Sequence, residues 1–137
     1  MTTFHVPENS RVFVLDDTQD RLYWFRERLC GVAKLRDAKT AKRAIEILSE
    51  EEFDLVFLDH DLSFMDAGFP ERQFDNGKEV ARFLAIRKFP GKVVIHSKND
   101  DGVRAMKKSL PAATVARFDE FEIVLSSPQL TSASAAR

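Results

Sequence analysis

The sequence predicts a three-layer α/β/α domain built on a parallel five-stranded sheet. Three observations lead there. Short apolar runs recur along the chain, they are continuous rather than alternating, and segments of helical periodicity separate them. A strand that is apolar on both sides is covered on both faces, as in a parallel sheet flanked by helices. Strands that alternate with helices of about ten residues join by right-handed crossovers.

The clearest runs are Arg11–Leu15, Asp54–Leu58, Lys92–His96 and Ala113–Arg117, with a weaker strand at Val32–Asp37. A first helix is expected over Thr18–Cys30, where Leu22, Trp24, Phe25 and Leu29 form one broad face. The second, Thr40–Glu50, gathers Ala41, Ala44, Ile45 and Leu48 on one side and has Thr40 as its N-cap. Val80, Phe83 and Leu84 place the third over Asn76–Arg87. Val103, Met106 and Leu110 place the fourth over Asp100–Leu110, closed by Pro111. A short last helix is expected at Asp119–Leu125. Five such units make a flavodoxin-like sheet whose strands, counted in chain order, stand 2-1-3-4-5. Ligands then bind beyond the carboxyl ends of the strands, where the first and third strands meet.

A chain of 137 residues makes one domain with a sizeable core. The expected layout is an N-terminal arm over residues 1–10, a domain over 11–125 and a flexible tail over 126–137, rich in Ser, Ala and Thr. Hydrophobic content of 44% and charged content of 31% suit a globular protein. Lys+Arg 21 against Asp+Glu 22 gives a net charge of −1, which argues against strong general nucleic-acid binding and leaves anion binding to local groups. No apolar stretch approaches membrane-spanning length, and the first residues lack the pattern of a signal peptide. The single cysteine, Cys30, cannot form an internal disulfide and fits a reducing cytoplasm.

Chemistry-bearing residues collect at the expected carboxyl edge: Asp16-Asp17, Asp59-His60-Asp61 and His96-Ser97-Lys98-Asn99. The chain has three histidines; His5 falls in the arm, whereas His60 and His96 follow neighbouring strands. An unperturbed imidazole titrates at about 6.5, so one ring can act as base while the other acts as acid. His60 and His96 are therefore the candidate catalytic pair. Arg21, Ser97, Lys98 and Asn99 are candidate phosphate ligands, with a helix N-terminus at Asn99 offering backbone N–H groups to an anion. Asp16, Asp17, Asp59 and Asp61 form an acidic pocket that orients the histidines or holds a hydrated Mg²⁺; Asp17 equally suits a helix cap. The long connection Ser63–Asp75 carries Phe64, Met65, Phe69, Phe74 and Arg72, a satellite core or a base-stacking loop. Strand alternation sets His96 against Ser97, since both face inward only if the strand ends between them.

Asp16-Asp17, Asp59 and Ser97 resemble the response-regulator receiver domain over Val12 to Leu125. That resemblance implies Mg²⁺-binding acids, a phosphoacceptor Asp59 and a switch hydroxyl. The lysine expected after the last strand is absent, and Arg117-Phe118 stands there. A closer resemblance rests on Leu15-Asp16-Asp17 with Arg21, Asp59-His60-Asp61-Leu62, and His96-Ser97-Lys98-Asn99 with Gly102 and Met106. This set is similar to the receiver-like family named for cyclic-phosphate processing, which keeps the fold and adds two histidines. It implies a cyclic phosphodiesterase, a hydrolase acting on RNA 2′,3′-cyclic phosphate ends or cyclic nucleotides. Two other readings stand beside it. One is a signalling receiver phosphorylated on Asp59 with Mg²⁺, changing partner binding on the face of the fourth and fifth strands. The other is a degenerate receiver that serves as a protein-interaction module.

Overall fold

The computed structural model describes residues 1–62 and 76–127 of the chain. The Ser63–Asp75 connection, with the base-stacking role considered for it, and the tail beyond residue 127 lie outside the described residues.

Among the described residues, seven strands and four α-helices follow in order: β1 (Thr2–Pro7), β2 (Arg11–Leu15), α1 (Gln19–Arg28), β3 (Lys34–Ala38), α2 (Ala41–Glu50), β4 (Leu55–Leu58), α3 (Gly77–Ile86), β5 (Lys92–Ile95), α4 (Asp100–Ser109), β6 (Thr114–Val115) and β7 (Phe121–Ser126). The main sheet is parallel throughout, in the order β3-β2-β4-β5-β6. Counting its five strands alone, this is the expected 2-1-3-4-5 sheet. The continuous apolar runs are buried on both sides. Phe13, Leu15, Val56, Leu58, Val93 and Ile95 pack toward α2, α3 and α4. Val12, Val14, Leu55, Phe57 and Val94 pack toward α1. Three helices start on side-chain caps: Thr40, Asn76 and Asn99 accept from the backbone N–H of Arg43, Lys78 and Gly102.

Two expectations are corrected. The segment Asp119–Leu125 is not a helix. Phe118–Glu120 makes one 3-10 turn and Phe121–Ser126 is a strand. The reason lies in its period: Phe121 and Ile123 turn inward while Glu122 and Val124 turn outward, an alternation of two with β-branched residues. Residues 2–7, expected in an arm, form β1. It lies parallel to β7, with Thr2 beside Phe121 and Pro7 beside Ser126. His5 sits in this strand, paired in register with Val124. Phe4, Val6, Phe121 and Ile123 join the core on the α1 face, where the Phe57 and Phe121 rings stack 5.9 Å apart. A two-stranded sheet thus covers the ground expected of a fifth helix. Among the described residues, no helix is long and apolar enough to cross a membrane.

Phe121→Ala is expected to lower stability by about 3 kcal/mol in urea denaturation, the usual cost of emptying an aromatic core position. A loss below about 0.5 kcal/mol, the range of surface substitutions, would mean that the small sheet does not close this face.

Candidate functional site

Sheet register builds the site. Leu15 stands beside Leu58, and Leu58 beside Ile95. One residue further on, the three strands give Asp16, Asp59 and His96. The last ladder bonds hold them level: the Asp59 N–H donates to the Leu15 carbonyl at 3.0 Å, and the His96 N–H donates to the Leu58 carbonyl at 2.9 Å. Leu15, Leu58 and Ile95 face α2–α4, so alternation turns the next residues toward α1. Asp16, Asp59 and His96 are 0%, 4% and 0% exposed, and one donor atom of each lies within 4.8 Å of the others.

Each buried group is held by the others. The His96 Nε2 donates to Asp16 Oδ2 at 2.8 Å, and the Thr18 N–H donates to Asp16 Oδ1 at 2.9 Å. Burial alone would raise the Asp16 pKa. The hydrogen bond and charge of His96, then Thr18 and Arg21, outweigh it, and Asp16 lies below its ordinary value. Asp59 goes the other way, raised to about 6, mainly by burial and further by Asp16, against the pull of His96, the His60 N–H and Arg21. Arg21, on the first turns of α1, points back over the row. Its Nη1 lies 3.6 Å from Asp16 Oδ2 and 3.7 Å from Asp59 Oδ2. The guanidinium rests on the Phe118 ring, 4.9 Å from the centroid. Phe25, Phe118 and Phe57 surround the His96 ring at centroid distances of 5.3, 6.3 and 6.4 Å. His96 Nδ1 is buried with no hydrogen-bond partner among the described residues.

His60 occupies different ground. Its backbone N–H donates to Asp59 Oδ1 at 2.8 Å, tying the two neighbours together. Its ring Nδ1 lies 2.8 Å from Asp61 Oδ1, which also accepts from Asn99 Nδ2 at 3.0 Å. Burial works to raise the Asp61 pKa, but the hydrogen bonds from His60 and Asn99 prevail and lower it. Asp61 is therefore an ionised acceptor, Nδ1 carries the proton, and Nε2 is left as the basic nitrogen. The ring lies against the first turn of α4, where a Cβ on Gly102 would fall 2.4 Å from the ring Cγ. Only glycine admits this contact. Gly77 serves Asp59 in the same way, since its Cβ would meet the Asp59 carbonyl oxygen at 2.0 Å.

The remaining candidates are placed differently. The strand ends at Ile95, and this resolves the contest between His96 and Ser97. His96 turns toward Asp16, while the Ser97 Oγ accepts from the Asn99 N–H at 3.0 Å and shapes the approach to α4. Lys98 pairs with Asp119, its Nζ 2.9 Å from Asp119 Oδ2. Asp17 is half-buried beside the start of α1, where its Oδ1 accepts from the Thr18 hydroxyl at 3.4 Å. At the start of α4, where a phosphate seat is expected, Asn99 takes the Gly102 N–H, and Asp100 and Asp101 add negative charge to the first turn. Sequence reasoning missed Phe118, whose ring supports Arg21 and flanks His96, and the seat that Gly102 provides. Gly102 enters the sequence reading only as part of the resemblance; a glycine two residues inside a capped helix start is the physical signal for that seat.

The row does not suit Mg²⁺ as it stands. Mg²⁺ needs an octahedron of oxygens at about 2.0–2.1 Å. Both oxygens of Asp16 and Asp59 Oδ1 already accept hydrogen bonds, and a guanidinium nitrogen stands between the two carboxylates. The third nearby donor, His96, is an imidazole, which Mg²⁺ disfavours. A cavity of about 550 Å³ opens at the opposite end of the sheet between Arg11, Phe53, Asp54, Phe83 and Phe89. No histidine lines it.

A family model described as a cyclic-phosphate processing receiver domain matches residues 11–112, from β2 through α4. No match is found among curated proteins. Solved structures with the same fold include a CheY-like response regulator receiver domain from Methanospirillum hungatei, at 16% identity and a TM-score of 0.61, covering 86% of this chain and 82% of that one. The Thermotoga maritima response regulator TrrA, in complex with Mg²⁺ and beryllofluoride, is 21% identical with a TM-score of 0.58, covering 91% of this chain and 93% of its own. The receiver domain of a Francisella response regulator is 16% identical with a TM-score of 0.57, covering 84% of each chain.

Burial of Asp59 gives a testable pH signature. Its folded pKa of about 6 lies above its unfolded value of 3.8, so the native state binds the extra proton between those limits. The contribution of Asp59 to stability is full below about 4 and is lost as pH rises through about 6. Asp59→Asn removes that loss. The variant should gain on the wild type between pH 4 and pH 7 by up to about 3 kcal/mol, at 1.36 kcal/mol per pKa unit. Urea titrations at several pH values measure it, and a difference that does not change with pH would contradict the assignment.

Proposed function

The chain belongs to the cyclic-phosphate processing receiver domain family, and from that premise we propose that it binds and opens a cyclic phosphate ester at the edge formed by Arg21, Asp59 and His60. The substrate class is an RNA 2′,3′-cyclic phosphate end or a cyclic nucleotide. One observation carries the reading: each strand-end histidine is bonded through one ring nitrogen to a carboxylate at 2.8 Å, His60 to Asp61 and His96 to Asp16. A carboxylate bonded to one ring nitrogen fixes the tautomer and the ring's orientation.

The roles follow from burial. Opening the ring by hydrolysis forms a bond from water oxygen to phosphorus and breaks one phosphorus–ribose oxygen bond. The water proton must leave, and the departing oxygen must gain one. Attack and departure lie on opposite sides of phosphorus, so two proton carriers are needed. His60, partly exposed with Nε2 as its basic nitrogen, is the first. Asp59, whose carboxyl holds its proton up to about 6, is the second. His96 is fully buried with its Nε2 given to Asp16, so it acts on the reaction by holding Asp16 rather than by reaching the ester. Arg21 faces the developing phosphoryl charge. This departs from the expected His60–His96 exchange in one partner, and the reason is the sealed position of His96.

His60→Ala should reduce turnover of 2′,3′-cyclic nucleotides by roughly 10²–10⁴-fold, the usual worth of one placed proton transfer. His96→Gln, which can still donate to Asp16, should retain most turnover and move the pH profile instead. Undiminished turnover in His60→Ala would refute the assignment. Failure of the wild type to open either cyclic nucleotides or cyclic-ended RNA would refute the activity.

A second reading is phosphoryl acceptance by Asp59, favoured by its place at the end of β4 beside Asp16 in a receiver fold. It predicts a covalent mass gain on incubation with acetyl phosphate, abolished by Asp59→Asn. Arg117 bears on it, because the side chain after β6 is drawn to Asp100 at 3.2 Å and not into the row.

A further inference from the structure

We infer that Arg21 is the resident cation of this site, a guanidinium standing where a divalent ion would bridge Asp16 and Asp59. Three observations carry it. First, Nη1 is nearly equidistant from the two carboxylates, at 3.6 and 3.7 Å from their Oδ2 atoms, as a bridging ion would be. Second, the carboxylate oxygens are already committed to the protein. Asp16 Oδ1 accepts from Thr18, Asp16 Oδ2 from His96 and Asp59 Oδ1 from the His60 N–H, so among the described residues Asp59 Oδ2 meets only Arg21. An ion entering here would compete with these bonds for the carboxylate lone pairs and meet a like charge. Third, the guanidinium is held in place, 4.9 Å from the centroid of the Phe118 ring, with its side chain only 24% exposed.

The consequence is a site that neutralises its buried acids and draws a phosphoryl oxygen without a metal. Guanidinium suits that task because it is always charged and its donors lie in one plane. The inference concerns the cation alone, so it stands or falls separately from turnover of any ester.

Mn²⁺ serves as the probe, titrated into the full chain and followed by electron paramagnetic resonance, with Mg²⁺ as competitor. The wild type should show no saturable site below about 1 mM, in keeping with a like charge held a few ångströms from the ligands. Arg21→Met, which keeps an apolar stem on Phe118, should acquire a saturable site at least roughly tenfold tighter, since the repelling charge is gone. Adding Asp59→Asn should remove that site again. Wild-type binding well below 1 mM would overturn the inference. So would a folded Arg21→Met that gains nothing. Should that variant fail to fold by circular dichroism, Arg21→Gln replaces it in the same titration: a gained site supports the inference and an unchanged one overturns it.

Discussion

Two carboxylates and an imidazole lie side by side, out of water, because three parallel strands end in register. That arrangement governs the rest of the carboxyl edge. Isolated buried charge is unfavourable by several kcal/mol per ion, so groups placed this way must satisfy one another or stay neutral. The structure uses both means. Asp16 is satisfied by His96, Thr18 and Arg21, while Asp59 keeps its proton up to about 6. Other features follow from this need. The helix α1 must bring Arg21 back over the sheet, the 3-10 turn must place Phe118 beneath it, and Gly77 must let α3 approach the Asp59 backbone.

The two histidines divide the site between them. His96 is part of the aromatic core of the α1 face, bonded to Asp16 and enclosed by Phe25, Phe57 and Phe118. His60 lies over Gly102 at the start of α4, which packs on the other face. One sheet edge thus carries an inner and an outer imidazole. The backbone N–H of His60 on Asp59 Oδ1 ties the outer histidine to the buried row. A shift of the His60 backbone is therefore felt directly by the Asp59 carboxyl group.

The sheet and its order were legible because continuous apolar runs such as Val12–Leu15 have few alternatives to a doubly covered parallel strand. Register then followed from simple counting, and so did the meeting of Asp16, Asp59 and His96. Direction was harder to see. Whether His96 or Ser97 faced the acids depended on where β5 stopped, a matter of one residue, and strand ends are the least legible part of a sequence. Lys98 had the right chemistry but a nearer partner in Asp119. Asn99 resembled a phosphate ligand and serves as a helix cap that also steadies Asp61. The β1–β7 pair was missed for another reason. Phe121–Ser126 is too short to declare its period against a preceding Asp119 that suggests a helix start, and its partner stands at the other end of the chain.

That last pairing has a bearing on how the molecule assembles. Thr2 and Phe121 are neighbours in space, so β1 has no partner until the chain has been made as far as β7. Until then Phe4 and Val6 have nothing to pack on in the small sheet, and Phe25 and Phe57 lack part of their cover. Contacts of such long sequence separation form late, because loop closure must precede any gain from them. The α2–α4 side can consolidate around local crossovers while the α1 side waits. The row of acids lies on that same side, so the charged site depends for its cover on the most distant pairing in the chain.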